Sequence, residues 1–194
     1  MTEMIDFAAQ AQLVARLAEN TDETQFDAPT PCETYAVRNL LGHLVGLAGA
    51  FRDTARKDLG PTTSTNPGAT VPDVAPGWRA VFDQNLEEMA DAWRDPAAWE
   101  GETQAGGVTL PGAAAGLIAL NELVLHGWDL ARATGQEYAP DQDSLGASYA
   151  LLASWADEEG RGSLFGPVVP VPDDAPLLDR VVGLSGRRPD WTAT

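Results

Sequence analysis

The stretch "LNELVLHGWDLA", residues 120–131, sets Glu122, His126 and Asp129 into a run that is otherwise almost entirely apolar. Four residues of an α-helix turn about 400°, so Glu122 and His126 share a face with Cβ atoms roughly 5 to 6 Å apart. Both side chains can reach one point, and Asp129 follows near the same face. A bare carboxylate buried there is costly, so a metal, an arginine or exposure at the helix surface must compensate it. Taken alone, Glu-x-x-x-His is a weak motif, commonly no more than an i, i+4 hydrogen bond on a partly exposed face.

The chain has only two histidines, and the second, His43, also interrupts an apolar helical run, "NLLGHLVGLAGAF". A packed histidine donating to a backbone carbonyl is the ordinary explanation of such a residue. Two histidines and one glutamate nevertheless make a set that leaves coordination positions open, which zinc accepts in hydrolytic enzymes and Fe(II) or Ni(II) accept in related forms. Helical bundles build metal sites in this way from facing helices. A water in the open position approaches a pKa of about 7 on zinc, and a thiol there is deprotonated outright. Asp129 has two readings of equal weight, an acceptor that orients a ligand or bound water, or a partner for Arg132 at i+3.

Cys32 stands just before a helix start, where the dipole lowers a thiol pKa. No basic residue adjoins it, Arg38 being nearest, and it reads instead as a buried structural cysteine. Trp128 reads as core. No phosphate loop, CxxC pair or nucleophile-elbow serine is present in the sequence.

The elements that must carry these residues follow from periodicity. Ile5, Ala9, Leu13 and Leu17 recur at helical spacing and predict a first helix from Glu3 to Asn20, closed by Pro29 and Pro31 beyond it. Thr34 is the expected N-cap of a second helix reaching Lys57, with Val37, Leu40, Leu41, Leu44, Leu47, Ala48 and Phe51 on its buried face and His43 within it. Leu59 to Pro76, rich in Pro, Thr, Ser and Gly, reads as a long crossover loop. A third helix is expected from Gly77 to Arg94, then an irregular connection with room for a short strand or hairpin around Val108 and Leu110. The fourth helix, Gly112 to Thr134 with Gly135 as C-cap, is apolar on nearly every face and is expected to be the most buried. A further helix, Asp141 to Glu159, precedes a proline-rich extended tail and a last short helix, Leu177 to Leu184. The pattern is that of an all-α bundle.

At 194 residues the chain fits one domain. We expect a helical bundle over residues 1–160, with residues 161–194 a tail and short helix packed on it. Twelve basic against 29 acidic residues give a formal charge of −17, which argues against nucleic acid and anionic membrane surfaces as partners. The longest mainly apolar segment, Leu110 to Leu125, is broken by Asn121 and Glu122, too early to span a bilayer. An acidic N-terminal stretch unlike a secretory signal, and one cysteine, lead us to expect a cytoplasmic protein.

The stretch "TPCETYAVRNLLGHLVG", followed about eighty residues later by "NELVLHGWDLARATGQ", resembles the metal-binding domain of mycothiol-dependent maleylpyruvate isomerase and its relatives, in the DinB-like four-helix-bundle superfamily. The likeness runs from about residue 5 to 160. The closing "FGPVVPVPDDAPLLDRVVGLSGRRPDW" resembles the tail of a single-domain subgroup of that family. The resemblance implies an up-and-down four-helix bundle with extra C-terminal helices. It also implies metal ligation by His43, Glu122 and His126, and a low-molecular-weight thiol, mycothiol or bacillithiol, acting as nucleophile at the metal. The isomerase looks longer, with a second C-terminal domain that helps complete its active site, so maleylpyruvate itself is not the expected substrate.

The favoured expectation is thus a bundle holding one divalent metal, zinc foremost, with nickel and iron as alternatives. The metal would activate a thiol against an electrophilic substrate in group transfer or isomerisation, with Leu59 to Pro76 and Trp99 to Pro111 shaping the substrate mouth. The rival is a non-enzymatic helical binding or assembly domain with a structural or vestigial metal site, closed by a fourth ligand such as Asp129. Nothing in the pattern isolates a dimer face, though a homodimer is compatible with it.

Overall fold

The computed structural model describes residues 4–66, 68–156, 161 and 165–193. Four long helices form a bundle: α1 (Ala8–Glu19), α2 (Val37–Arg56), α4 (Trp78–Ala92) and α6 (Gly112–Thr134). Two single-turn helices, α3 (Pro61–Ser64) and α5 (Pro96–Trp99), and a hairpin of β1 (Glu102–Ala105) and β2 (Val108–Pro111) fill the connections. Helices α7 (Gln142–Ser154) and α8 (Leu177–Leu184) follow the bundle. Around it α1 packs on α4 and α6, and α2 packs on the same two helices, so α2 and α6 are neighbours. That adjacency positions His43 against Glu122 and His126.

The sequence pattern is realised most fully in α2 and α6. All seven residues assigned to the buried face of α2 are buried, from Val37 to Phe51. Helix α6 spans the expected Gly112–Thr134, is closed by Gly135 at φ 70°, and buries residues on every side. The short helix at Leu177–Leu184 also falls where expected.

Helix starts differ for local reasons. Helix α1 begins at Ala8, because Asp6 Oδ1 accepts the Ala8 N–H at 2.9 Å and holds the preceding chain out of the helix. Residue 3, the expected start of this helix, lies outside the described residues. Phe7, just before the helix, stacks on Trp93 with centroids 5.7 Å apart. Thr34 is not the cap of α2: Thr30 Oγ1 donates to the carbonyls of Cys32 and Tyr35, closing residues 30–35 into a turn. The helix then starts at Val37, with Asn39 Oδ1 accepting the Ala36 N–H. Helix α4 ends at Ala92, short of Arg94, and α7 ends at Ser154; its expected extension to Glu159 reaches residues outside those described.

The expected short hairpin is present, turned by Gly106 and Gly107 at φ 58° and 82°, the left-handed values that a two-residue hairpin turn requires. Thr54 near the end of α2 ties this hairpin down: Thr54 Oγ1 donates to the Gln104 carbonyl and Thr103 Oγ1 donates to the Thr54 carbonyl. The hairpin runs directly into α6, so α2 and α6 are antiparallel. It therefore sits about 16 Å along α2 from His43, eleven residues at 1.5 Å each. The Trp99–Pro111 segment is thus placed away from the mouth expected of it. The other expected wall, Leu59 to Pro76, starts with the one-turn α3 and, among the described residues, comes against α2 near His43 at Pro72 and Asp73. Asn39 Nδ2 donates to the Pro72 carbonyl, and a Cβ on Gly42 would come within 2.6 Å of the Asp73 backbone.

The aromatic floor at the N-terminal half of α6 depends on Gly116. A Cβ there would lie 2.8 Å from the Trp99 ring and 2.9 Å from the Trp93 ring, while Trp99 Nε1 is fixed to the Trp93 carbonyl. Overpacking of this kind costs roughly 1–3 kcal/mol. Gly116→Ala is accordingly expected to lower the urea midpoint despite the better helix propensity of alanine, and an unchanged or raised midpoint would contradict this packing.

Candidate metal centre

Helix α6 presents Glu122, His126 and Asp129 in one continuous polar line, and α2 brings His43 to its outer end. Glu122 Oε2 lies 3.2 Å from His126 Nε2 and 3.5 Å from His43 Nε2. The imidazole rings meet edge to face, with centroids 4.8 Å apart. One ligand-capable atom from each of the three residues falls within 4.8 Å of the others. The side chains grow more buried along the line, from 24% exposed at Glu122 to 10% at His126 and 0% at Asp129, so the group opens outward at Glu122 and His43 and is sealed at Asp129.

Asp129 holds the inner end. Its Oδ2 lies 2.9 Å from His126 Nδ1 and accepts the proton of that nitrogen, leaving Nε2 facing Glu122. Arg187 donates to the same carboxylate through both arms, Nε to Oδ1 at 2.7 Å and Nη2 to Oδ2 at 2.8 Å. Arg132 is not its partner: that guanidinium reaches the Trp191 carbonyl instead. Of the two readings of Asp129, orientation of His126 is the one whose geometry is present. Arg187 was not among the residues singled out from the sequence. It lies 58 positions from Asp129, and no local spacing links them.

The charges are mutually compensating. Burial opposes ionisation of Glu122, but the hydrogen bonds from His126 and His43 outweigh it and hold the carboxyl well below its ordinary range. Burial likewise opposes a charged His126, and the carboxylates of Asp129 and Glu122 reverse that, pushing its pKa up to about 9. Asp129 is held low against its own burial by Arg187 and His126.

Cys32 and Tyr35 come from the turn before α2. Tyr35 packs on the His43 ring with centroids 5.4 Å apart. Cys32 is partly buried, and its sulfur falls within 4.8 Å of ligand-capable atoms of His126 and Asp129, a second group of possible donors. Arg38, its nearest cation in sequence, pairs with Asp73 at 2.8 Å instead. Burial and the Asp129 charge raise the Cys32 thiol above its ordinary pKa, more than Arg187 and Thr34 lower it. Trp128 is core, 3% exposed. A groove of about 500 Å³ lined in part by Glu23, Phe26, Trp78 and Arg79 includes none of these site residues.

Two histidines and a glutamate thus converge between two antiparallel helices of a helical bundle. The chain belongs to the family whose profile is described as mycothiol maleylpyruvate isomerase N-terminal domain, which matches residues 7–131, a span that includes His43, Glu122 and His126. Two proteins of Mycobacterium tuberculosis described as uncharacterized, from strains CDC 1551 / Oshkosh and ATCC 25618 / H37Rv, are each 27% identical over 189 residues, with 89% of this chain and 91% of the relative covered. Among solved structures, the mycothiol-dependent maleylpyruvate isomerase is similar at TM-score 0.61 and a histidine-to-alanine mutant of it at 0.65, both 18% identical. At that identity the likeness is one of fold. It takes in 93% of this chain and 86% of the isomerase chain. No helix among the described residues is long and apolar enough to cross a membrane.

A raised thiol pKa means less thiolate at any pH below it, and thiolate is the reacting form. Cys32 in the native protein is therefore expected to react with iodoacetamide at pH 8 several-fold more slowly than free cysteine, followed by intact-protein mass. Labelling as fast as free cysteine would show that the thiol is neither shielded nor raised.

Proposed function

We propose that His43, Glu122 and His126 hold one divalent metal ion, zinc foremost, and that this mycothiol-dependent isomerase-like domain uses it for thiol-dependent isomerisation or group transfer. The observation that carries the reading is the spacing of the three donors. Two atoms each about 2.1 Å from a tetrahedral ion lie about 3.4 Å apart, and Glu122 Oε2 stands 3.2 and 3.5 Å from the two Nε2 atoms. The donor set is chemically suited as well: Asp129 engages the Nδ1 proton of His126, so Nε2 is the nitrogen that would exchange its proton for the ion, the usual support of a metal-bound imidazole. Nickel and iron fit the same donors, and availability decides among them.

When bound, the ion supplies a positive charge that deprotonates a coordinated thiol. Around it the chain's own residues divide the remaining work. Glu122 and His43 face the open side, where a low-molecular-weight thiol of the mycothiol type and an electrophile have access. Tyr35 walls the His43 side with an aromatic face. Asp129 keeps His126 in one orientation and, with both oxygens engaged by His126 and Arg187, is spoken for as a fourth ligand. That engagement favours an open coordination position over the rival reading of a closed, structural site.

The test is metal content per chain by inductively coupled plasma mass spectrometry, on protein purified without an affinity metal column, followed by mycothiol titration of the cobalt-substituted form. Near one metal per chain, reduced at least tenfold in Glu122→Gln, and an added sulfur-to-cobalt absorption band on thiol addition are the expected results. Metal bound without any spectral response to thiol would favour the structural role. No metal after incubation with zinc would remove the proposal.

A further inference from the structure

Among the described residues after α7, Arg187 reaches the buried polar line on α6. Its side chain is 12% exposed and makes a two-armed ion pair with the wholly buried Asp129. Several devices aim it there. Ser185 and Gly186 end α8, with Gly186 in the left-handed region at φ 84°, and the Arg187 N–H returns to the Val182 carbonyl. Ser185 Oγ donates to the Val182 carbonyl, and Arg187 Nη1 reaches Ser185 Oγ at 3.3 Å. The extended strap before α8 locks this corner: Val169 N–H donates to the Gly183 carbonyl, and a Cβ on Gly183 would lie 2.6 Å from the Val169 carbonyl. Beyond Arg187 the chain is pinned again, by Arg132 on the Trp191 carbonyl. Arg132 follows Asp129 by one helical turn, so two positions of α6 one turn apart hold the tail, one at the arginine and one beyond it at Trp191.

We propose that Arg187 is a positioning residue for the metal centre, acting through Asp129 on His126. The inference rests on the reading of His43, Glu122 and His126 as ligands. A carboxylate whose two oxygens are fixed by a rigid guanidinium fork cannot rotate, so its bond to His126 Nδ1 has one direction, and Nε2 is aimed at Glu122 before any ion arrives. The fork also supplies the counter-charge that lets a carboxylate remain ionised at 0% exposure. The consequence is coupling: an ion held by His126 stabilises the docked corner of residues 182–188, and the docked corner tightens the ion by the same factor. The residue that completes the centre thus lies outside residues 7–131, the part that matches the family profile.

The experiment uses the full chain with Co(II) as probe, titrated against a competing chelator, in wild type, Arg187→Lys and Arg132→Met. Arg187→Lys keeps the charge and loses the fork. It is expected to weaken Co(II) 10- to 100-fold, the usual range for losing such a support, and to shift the visible bands. Arg132→Met, which loosens the same tail at Trp191, is expected to stay within about twofold of wild type. Equal affinity in Arg187→Lys and wild type, or equal losses in both variants, would overturn the proposal. Should Arg187→Lys fail to fold, hydrogen exchange of the wild type decides: slower exchange at residues 182–188 on Co(II) addition supports it, and unchanged exchange there overturns it. A wild type that binds no Co(II) would instead overturn the metal reading itself.

Discussion

The structure depends on how two carboxylates are kept inside an apolar helix. Glu122 and Asp129 both project from α6, the helix that buries residues on every side, and each is tolerable only with a partner supplied from elsewhere in the chain. His126, between them, is bonded to both. The remaining compensation arrives from opposite directions, His43 from α2 and Arg187 from the tail. The bundle's connectivity follows from this need: α2 must run beside α6, and the chain after α7 must return to it. The buried carboxylates would be destabilising alone, and together with their partners they form a connected line of donors and acceptors from the sealed Asp129 to the more open Glu122.

Exposure along this line is graded and not split in two: Glu122 is the most open of these side chains at 24%, His43 and Arg187 are comparably shielded, and Asp129 is sealed and sets the direction of His126. Rigid elements carry every one of these residues except Arg187, which is held by a glycine corner and an extended strap. Cys32 sits at the edge of the line with its thiol held up by burial and by Asp129, consistent with a packed cysteine and not an activated one.

What the sequence discloses and what it withholds divide along chain distance. Helical periodicity placed α2, α6 and α8, because each has a continuous apolar face or an unambiguous stop such as Gly135. The starts of α1 and α2 escaped it, since Asp6 and Asn39 side chains and the Thr30 turn override the simpler reading of Thr34 as a cap. Glu122 and His126 were legible from i, i+4 spacing, and His43 from being a polar residue in an apolar run. Their convergence required only that α2 and α6 be neighbours. The partner of Asp129 was not legible: a local rule offers Arg132, and only the tertiary return of the tail reveals Arg187. The two expected loop segments separate in space, because the Pro72–Asp73 stretch lies against α2 at Asn39 and Gly42, whereas the Thr54 anchor holds the hairpin at the far end of α2.

The most direct test of the central claim is a crystal structure of the zinc-incubated protein with anomalous data collected on both sides of the zinc edge. The account predicts a single strong edge-dependent peak at bonding distance from His43 Nε2, Glu122 and His126 Nε2, with the Asp129 and Arg187 pair unchanged behind it. An edge-dependent peak elsewhere, or none while Glu122 keeps its hydrogen bonds to both histidines, would contradict it.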